Sequence, residues 1–221
     1  DDVATALEAR GETVIRNGSR GMLWMEPLVE RADERHGPRV GWANVTAGQI
    51  DAGLPDEQAD NFIGVVEEFD YLARQNRWIY ERVGITDPVD PEDYVAHGGL
   101  TGLKNALAMS GSDVVQAVTD SGLRGRGGAG FPAGIKWRTV ADQPSAPHTG
   151  ESQNAPAHKY ICVNADEGDS GTFADRMLME GDPFCLLEGM TIAAHAVGAD
   201  RGLVYLRSEY PDAIATLQSA I

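Results

Sequence analysis

A glycine-rich segment in the second half of this 221-residue chain restricts most strongly what the sequence can fold into. Five of the nine residues from Gly122 to Gly130 are glycine, and such a run exposes consecutive backbone N–H groups to a flat or phosphorylated ligand. Residues 121–141 carry four basic side chains and no acidic one, although the net charge of the protein is −16. We therefore predict an anion-binding loop, with Lys136 facing a phosphate or a ribose. The alternative is a flexible linker with scattered bases, which the apolar Phe131 disfavours.

The spacing of Gly125, Gly127 and Gly130 matches the G-x-G-x-x-G pattern of dinucleotide-binding loops. By itself the pattern is a weak indicator, because a dinucleotide site also requires a strand before the loop and a helix after it. Residues 114–118, which precede the loop, have a helical pattern. The loop is therefore not expected to be the usual start of a dinucleotide-binding sheet.

A second polar segment begins where the strand predicted over residues 159–163 ends. It places Asn164, Asp166, Glu167 and Asp169 at the carboxyl end of that strand, where open α/β sheets bind ligands. These side chains could bind hydroxyl groups, flavin N–H groups or a divalent metal, which prefers oxygen ligands. The alternative is an acidic turn that caps the next helix.

A third polar segment follows the strand predicted over residues 203–206. Glu209 lies just beyond this strand end, where a carboxylate suits a ribose diol. The alternative is a carboxylate at the start of the last helix, which Pro211 is well suited to begin.

The remaining elements follow from hydrophobic periodicity and from turn residues. From residue 121 onward, strands alternate with helices, which predicts a parallel α/β layer. Residues 1–80 read as a smaller α/β unit, so we place a domain boundary near residue 80. The other predicted elements are strands at 13–15, 22–29 and 39–42, a helix at 46–54 with Thr46 as its N-cap, a linker at 86–94 that caps a helix, helices at 99–109 and 113–119, a polar loop at 143–158 and a buried helix at 184–197.

Charge and cysteine usage exclude several classes of protein. An excess of 34 acidic over 18 basic residues argues against nucleic acid, because phosphate binding needs a basic surface. No apolar run approaches the roughly 18 residues of a membrane span, and the acidic first residues are not a secretory signal, so the cytoplasm is the simplest compartment.

Cys162 and Cys185 cannot supply the four ligands of a cubane cluster or a structural zinc. We therefore expect no metal site here and predict that both cysteines are small core residues.

The three polar segments, in this order and spacing, resemble the family of FMN- and NADH-binding flavoprotein subunits. That family includes the flavoprotein subunit of complex I, the diaphorase subunit of NAD-reducing hydrogenases and the beta subunit of soluble NAD-dependent formate dehydrogenases. Its pattern is S-G-L-R-G-R-G-G-A-G-F-P-x-G-x-K-W, then N-A-D-E-G-x-x-G-T-x-x-D-R, then Y-x-R-x-E-Y, and residues 121–210 match all three parts. The formate dehydrogenase beta subunit is the closest resemblance, on residues 16–29, 169–171 and 206–211.

The resemblance implies a fold and a function. Residues 1–80 would be a partial thioredoxin-like α/β docking domain, and residues 81–221 an incomplete Rossmann-like FMN-binding α/β domain. The chain would be an NAD-dependent oxidoreductase subunit that transfers electrons between NAD(H) and an iron–sulfur chain, with formate and NAD⁺ giving CO₂ and NADH in the whole enzyme. Hydrogenase and complex I subunits are the alternatives, as is a non-catalytic docking module that retains the scaffold.

The resemblance also implies partners and further cofactors. Within a hetero-oligomer, the partners would be a thioredoxin-like 2Fe-2S gamma subunit and a molybdenum-containing alpha subunit. A 4Fe-4S cluster is expected in the full-length subunit, but not in residues 1–221.

The resemblance finally assigns site residues to FMN and NAD. FMN carries the chemistry, so no side chain is predicted to be catalytic. Phe131 would pack against the nicotinamide or adenine, and Glu167 would face the nicotinamide. The predicted cofactor-binding residues are Gly125, Arg126, Gly127, Gly128, Ala129, Phe131, Lys136, Asn164, Asp166, Glu167, Tyr205 and Glu209.

Overall fold

The computed structural model describes residues 2–32, 38–144 and 158–221. Within these ranges, short apolar stretches separated by capping and turn residues form ten α-helices and five strands. In chain order they are α1 (Asp2–Ala9), β1 (Val29–Arg31), β2 (Val40–Trp42), α2 (Ala47–Ala52), β3 (Phe62–Val65), α3 (Asp70–Ala73), α4 (Pro91–Ala96), α5 (Thr101–Leu107), α6 (Gly111–Asp120), α7 (Ala133–Ala141), β4 (Tyr160–Ala165), α8 (Ala174–Gly181), α9 (Pro183–Val197), β5 (Arg201–Leu206) and α10 (Pro211–Ala220). The mixed α/β class is confirmed.

The first part of the chain forms a three-stranded antiparallel sheet in the order β1-β2-β3. Its core gathers Val3 and Ala6 of α1 against Trp42, Val45 and Ile50. Thr46 begins α2 with a capping box, in which its side chain accepts from the Gln49 N–H, and this confirms the predicted N-cap.

The strands predicted at 13–15 and 22–29 were wrong. Residues 13–15 are irregular, and Leu23–Met25 forms a 3₁₀ turn, so that only residue 29 of the second prediction belongs to a strand. Met22 is nevertheless buried, in a cluster with Val66 and Leu72. Apolar residues that face a core from an irregular segment produce the same sequence pattern as a strand.

The second part of the chain is built on a parallel pair of strands, β4 and β5, which α8 and α9 connect. This confirms the predicted alternation of strands and helices. One face of the pair packs against the helices: Ile161 contacts the cluster that contains Val115 and Val197, and Val163 contacts the cluster that contains Met179 and Leu217.

The opposite face of the β4–β5 pair is exposed, and this corrects one prediction. Cys162 is exposed, as are its neighbours on that face, Leu203 and Tyr205. Successive residues of a strand point to opposite faces, so Cys162, between Ile161 and Val163, must face away from the core. The predicted core position is therefore wrong for Cys162, whereas Cys185 is half-buried.

Helix α9 is less buried than its apolar sequence suggested. Pro183, Ala193, Ala196 and Val197 are buried, but most of its other side chains are only partly covered. Residues 145–157 of the predicted polar loop lie outside the described residues.

Several contacts join the residues on either side of position 80. The Tyr80 hydroxyl donates to the carbonyl of Ala174 at 3.2 Å, and Arg20 Nη2 donates to the carbonyl of Gly84 at 2.9 Å. Each of the four apolar clusters, by contrast, lies entirely on one side of that position. The domain boundary and the thioredoxin-like assignment of residues 1–80 stay predictions. Among the described residues, none of the helices combines the length and the apolar character that crossing a bilayer requires.

Candidate functional site

The glycine-rich loop between α6 and α7 has a fixed base. The Gly125 N–H donates to the carbonyl of Phe131 at 2.9 Å, and the Ala133 N–H donates to Leu123 at 2.8 Å. Arg124 closes the loop further by donating from Nη1 to the carbonyl of Gly130 at 2.9 Å. Because the helix α6 precedes the loop, the expectation that it does not follow a strand is confirmed.

The tip of this loop is open. Residues 125–129 are all exposed, and a Cβ atom added at Gly127 or Gly128 would meet nothing within 4 Å. Gly128 has a φ of +103°, which favours glycine, so the tip combines an unusual backbone with free space around it. A ligand can therefore approach the backbone N–H groups closely.

Two basic side chains accompany the open tip. Arg126 and Lys136 are exposed, and neither has a hydrogen-bond or ion-pair partner within the part of the chain that the structure describes. Phe131, at the end of the loop, is 49% exposed. The loop and the first turn of α7 thus offer N–H donors, two cations and an aromatic ring, and this set of groups fits a phosphorylated aromatic ligand.

Asn164 and Tyr205 lie side by side on the exposed face of the β4–β5 pair. Strand β4 continues two residues beyond its predicted end, so Asn164 is within the strand and is paired in register with Tyr205. Tyr205 is 70% exposed. An amide group and a phenol ring on adjacent strands form a surface that suits a flat heterocycle with polar edges.

Glu167 is turned inward in this structure. The carboxylate is buried and accepts hydrogen bonds from the backbone N–H groups of Asp175 and Arg176 and from the Tyr210 hydroxyl, at 3.1, 3.3 and 3.2 Å. It therefore caps the start of α8, which is the alternative considered for this acidic turn. Burial raises the pKa of Asp175, and the Glu167 carboxylate raises it further. A role for Glu167 toward the nicotinamide stays a prediction.

Asp166 is exposed next to this buried carboxylate. Its backbone N–H donates to Oδ1 of Asn164 at 3.1 Å, and both Asn164 and Asp166 are exposed, whereas Glu167 is directed inward. Among the described residues, no three His, Cys, Asp or Glu side chains form a group that could hold a metal ion.

Glu209 projects from the turn after β5. Its side chain is 62% exposed, and Oε2 accepts from Arg207 Nε and from Ser208 Oγ, each at 3.3 Å. The hydrogen bond from Arg207 lowers the pKa of the Glu209 carboxyl. These partners precede α10, and the N-cap residue of that helix, Tyr210, makes no side-chain capping hydrogen bond. The contacts do not support the alternative in which Glu209 caps α10.

Arg207 joins two of the predicted segments, although it was not among the predicted site residues. Its Nη1 donates to the backbone carbonyl of Glu167, and its guanidinium lies 5.1 Å from the ring centroid of Tyr210. The arginine of the Y-x-R-x-E-Y pattern was the available signal. Among the described residues, no hydrogen bond or ion pair joins the glycine-rich loop to either turn.

Two cavities lie near these segments. One of about 70 Å³ is at the carboxyl end of β4 and is lined by Asn164 and Asp175 together with apolar side chains. A larger one of about 230 Å³, lined by residues such as Thr119 and Arg138 of α6 and α7, includes none of the predicted site residues. Neither can enclose a dinucleotide, so such a ligand would bind the open surface around the loop and the strand ends.

The sequence is similar to those of known redox proteins. Residues 118–221 match the family described as the Nuo51 FMN-binding domain. The NADP-reducing hydrogenase subunit HndC of Solidesulfovibrio fructosivorans is 45% identical over 67% of this chain and 28% of that protein. An NADH-quinone oxidoreductase subunit of Rhizobium meliloti is 45% identical over 58% of this chain and 28% of that protein. A chain of an NAD⁺-reducing [NiFe]-hydrogenase shares 30% identity, with a TM-score of 0.48, over 81% of this chain and 29% of that chain.

The family match and the two sequence relatives confirm the predicted resemblance to this group of flavoproteins. They also agree with the prediction of FMN and NAD as cofactors, since FMN stands in the family's description and NAD(P)H in the names of relatives. The chain spans about 28% of the length of these two relatives.

Proposed function

We propose that this chain, whose residues 118–221 belong to the family of the Nuo51 FMN-binding domain, is the FMN- and NAD-binding part of an oxidoreductase subunit. The subunit would transfer electrons between NAD(H) and an iron–sulfur chain. The observation that carries the proposal is the open glycine-rich loop inside the matched region, together with Arg126 in that loop and Lys136 in the first turn of α7, two cations that have no partner among the described residues. On a protein of net charge −16, this loop is a region of local positive charge that attracts a phosphorylated ligand.

The predicted residues divide the work of binding. The N–H groups of residues 125–129, together with Arg126 and Lys136, would hold phosphate groups, and Phe131 would pack against the nicotinamide or adenine. Asn164 and Asp166 would contact the flavin at the exposed side of the sheet. Tyr205, adjacent to Asn164 on the next strand, would complete the nucleotide pocket with Glu209. When bound, FMN supplies the exchange of two electrons with NAD(H) and of single electrons with clusters.

The position of Glu209 supports a preference for NAD over NADP. An exposed carboxylate that is already held by Arg207 can accept a hydrogen bond from a ribose 2′-hydroxyl, whereas it would repel a 2′-phosphate. Glu167 would contribute to the site indirectly, because its buried carboxylate accepts hydrogen bonds from the first turn of α8.

Flavin content and NADH oxidation of the full-length protein test the proposal. We expect stoichiometric FMN after gel filtration and NADH oxidation with an artificial electron acceptor such as ferricyanide. Lys136→Gln should raise the KM for NADH or weaken flavin retention several-fold, because it removes an exposed cation from the first turn of α7, next to the loop. Lys104→Gln, which removes another exposed helical lysine, is the matched control and should change neither.

The absence of flavin from the full-length protein would contradict this function. It would favour the alternative of a docking module that has kept the scaffold without the cofactor. Equal effects of Lys136→Gln and Lys104→Gln would instead remove Lys136 from the site.

The finer proposal is that the whole enzyme is a cytoplasmic NAD-dependent formate dehydrogenase. Its support is the resemblance of residues 16–29, 169–171 and 206–211 to the beta subunit of such enzymes. The partners would then be a 2Fe-2S gamma subunit and a molybdenum-containing alpha subunit, with a 4Fe-4S cluster elsewhere in the full-length chain.

The substrate of the purified complex decides this finer proposal. We expect NAD⁺ reduction with formate, and molybdenum in the complex. NAD⁺ reduction with hydrogen, or electron transfer from NADH to a quinone, would indicate one of the two alternative enzymes instead.

A further inference from the structure

Arg207 connects the two polar turns that follow β4 and β5. It donates from Nη1 to the backbone carbonyl of Glu167, and its Nε lies 3.3 Å from Oε2 of Glu209. Its guanidinium also lies over the ring of Tyr210. The side chain is only 22% exposed, and these three contacts hold it in one orientation.

We propose that Arg207 is a positioning residue for nucleotide binding, which sets the separation of the Glu167 turn from Glu209 and presents the Glu209 carboxylate to the ribose. Arg207 acts through Glu209 and does not touch the nucleotide itself. The inference rests on the function proposed above, because it assigns the geometry of the two turns to the same nucleotide site.

The chemistry of the guanidinium explains why arginine suits this position. A guanidinium is planar and carries five N–H donors in a fixed fork, so it can donate to a carbonyl, donate to a carboxylate and stack on an aromatic ring at the same time. A lysine would keep the charge but not the fork or the stacking. Arg207→Lys should therefore restore only part of the function that Arg207→Gln removes.

Arg176 provides a matched control within the same cluster. Its guanidinium lies 5.6 Å from the ring centroid of Tyr210, close to the 5.1 Å of Arg207. Its Nε, however, pairs with Glu180 at 2.8 Å, and among the described contacts its side chain bonds to neither Glu167 nor Glu209. Arg176→Gln therefore disturbs the packing of Tyr210 without releasing Glu209.

Steady-state kinetics of the full-length flavoprotein test the positioning role. With an artificial acceptor, Arg207→Gln should raise the KM for NADH about 10-fold, below the roughly 100-fold that a 1 Å misplacement can cost. The kcat and the FMN content should stay within a factor of about two, because only nucleotide binding is affected. Arg207→Lys should lie between the parent and Arg207→Gln, and Arg176→Gln should leave the KM unaltered.

Amide hydrogen exchange without nucleotide provides a second readout. In Arg207→Gln the residues 166–169 and 207–209 should exchange faster than in the parent, since the bond between the turns is lost. In Arg176→Gln the faster exchange should be confined to α8 and α10.

The outcomes separate this inference from the proposed function. A parent that oxidises NADH, combined with an unaltered KM in Arg207→Gln, overturns the positioning role alone, even if exchange is faster. An equal rise of the KM in Arg176→Gln also overturns it, because the effect would then be general destabilisation. A parent that binds neither flavin nor NADH overturns the proposed function, and with it the purpose assigned to Arg207.

Discussion

Replacing Glu167 with glutamine tests whether its carboxylate supports α8, as the structure places it, or faces the nucleotide, as the family resemblance implies. The substitution preserves the shape of the side chain and removes only its charge and one acceptor. In the structure Oε1 accepts from the Asp175 N–H, and Oε2 accepts from the Arg176 N–H and the Tyr210 hydroxyl.

The size of the effect follows from these three bonds. An amide has one oxygen, which can replace Oε2 and keep two of the bonds, but its NH₂ group then faces the Asp175 N–H. Losing one hydrogen bond to a buried charged acceptor costs about 1.5–3 kcal/mol, and the two remaining bonds weaken because their acceptor is neutral. Relief of the repulsion between Glu167 and Asp175 offsets part of this. We therefore expect a local destabilisation of about 2 kcal/mol.

Hydrogen exchange measures this destabilisation where it occurs. A loss of about 2 kcal/mol corresponds to roughly 30-fold faster exchange of the Asp175 and Arg176 amides, when the opening equilibrium of α8 determines the exchange rate. Tyr210→Phe, which removes one neutral donor, should accelerate the same amides by a smaller factor. Asp166→Asn changes the exposed neighbouring carboxylate and should leave their exchange unaltered.

One result would refute this reasoning. If Glu167→Gln leaves the exchange of α8 unaltered but weakens NADH binding in the full-length protein, the carboxylate faces the nucleotide and not the helix. If Glu167→Gln both accelerates exchange in α8 and weakens NADH binding, the carboxylate contributes to the stability of the helix and to the nucleotide site.

Three further predictions concern single side chains. Glu209→Gln should raise NADPH use relative to NADH while costing some NADH affinity, because it removes a like charge from the 2′-phosphate; steady-state rates with both nucleotides measure this, and an unaltered ratio would remove Glu209 from the site. Burial acts to raise the pKa of Glu188, but hydrogen bonds from the Tyr94 hydroxyl and from two backbone amides lower this pKa below its usual value. The ionised Glu188 side chain therefore contributes its full stabilisation above about pH 5, and this stabilisation is lost as the pH falls through the lowered pKa. The stability difference between the parent and Glu188→Gln in urea unfolding should therefore shrink in acid, and a difference independent of pH would contradict the assignment. Asp182→Asn keeps the cap of α9 but leaves Arg82 without its buried partner, so it should cost about 2–4 kcal/mol in the free energy of unfolding, whereas a loss below about 0.5 kcal/mol would show that the pair contributes little.

Local signals were sufficient for the elements whose ends are capped in sequence. Thr46 with Gln49 three residues later specifies the start of α2, and Pro211 specifies the start of α10. The alternation of strands and helices after residue 121 likewise predicted the parallel pair. These features depend on residues close together in the chain, which is why they can be read without the fold.

Other features depend on partners that are distant in sequence. The apolar residues before Val29 resemble a strand, but Met22 is buried against Val66 and Leu72 from an irregular segment. Cys162 has apolar sequence neighbours, yet it lies on the face of β4 that the helices do not cover. Apolar residues in a strand indicate that one face of the strand is buried, but they do not indicate against which face of a two-stranded sheet the helices pack.

The candidate site shows the same division. The sequence alone determined the resemblance to this group of flavoproteins, the glycine-rich loop and its excess of cations, because these depend on which residues are present and on their spacing. Only the tertiary structure decided that Asn164 and Tyr205 are adjacent, that the Glu167 carboxylate points inward to α8, and that Arg207 bonds to both turns. The physical reason is that the direction of a side chain is set by the strand register and by the donors around it, and here those donors come from residues up to 43 positions away in the chain.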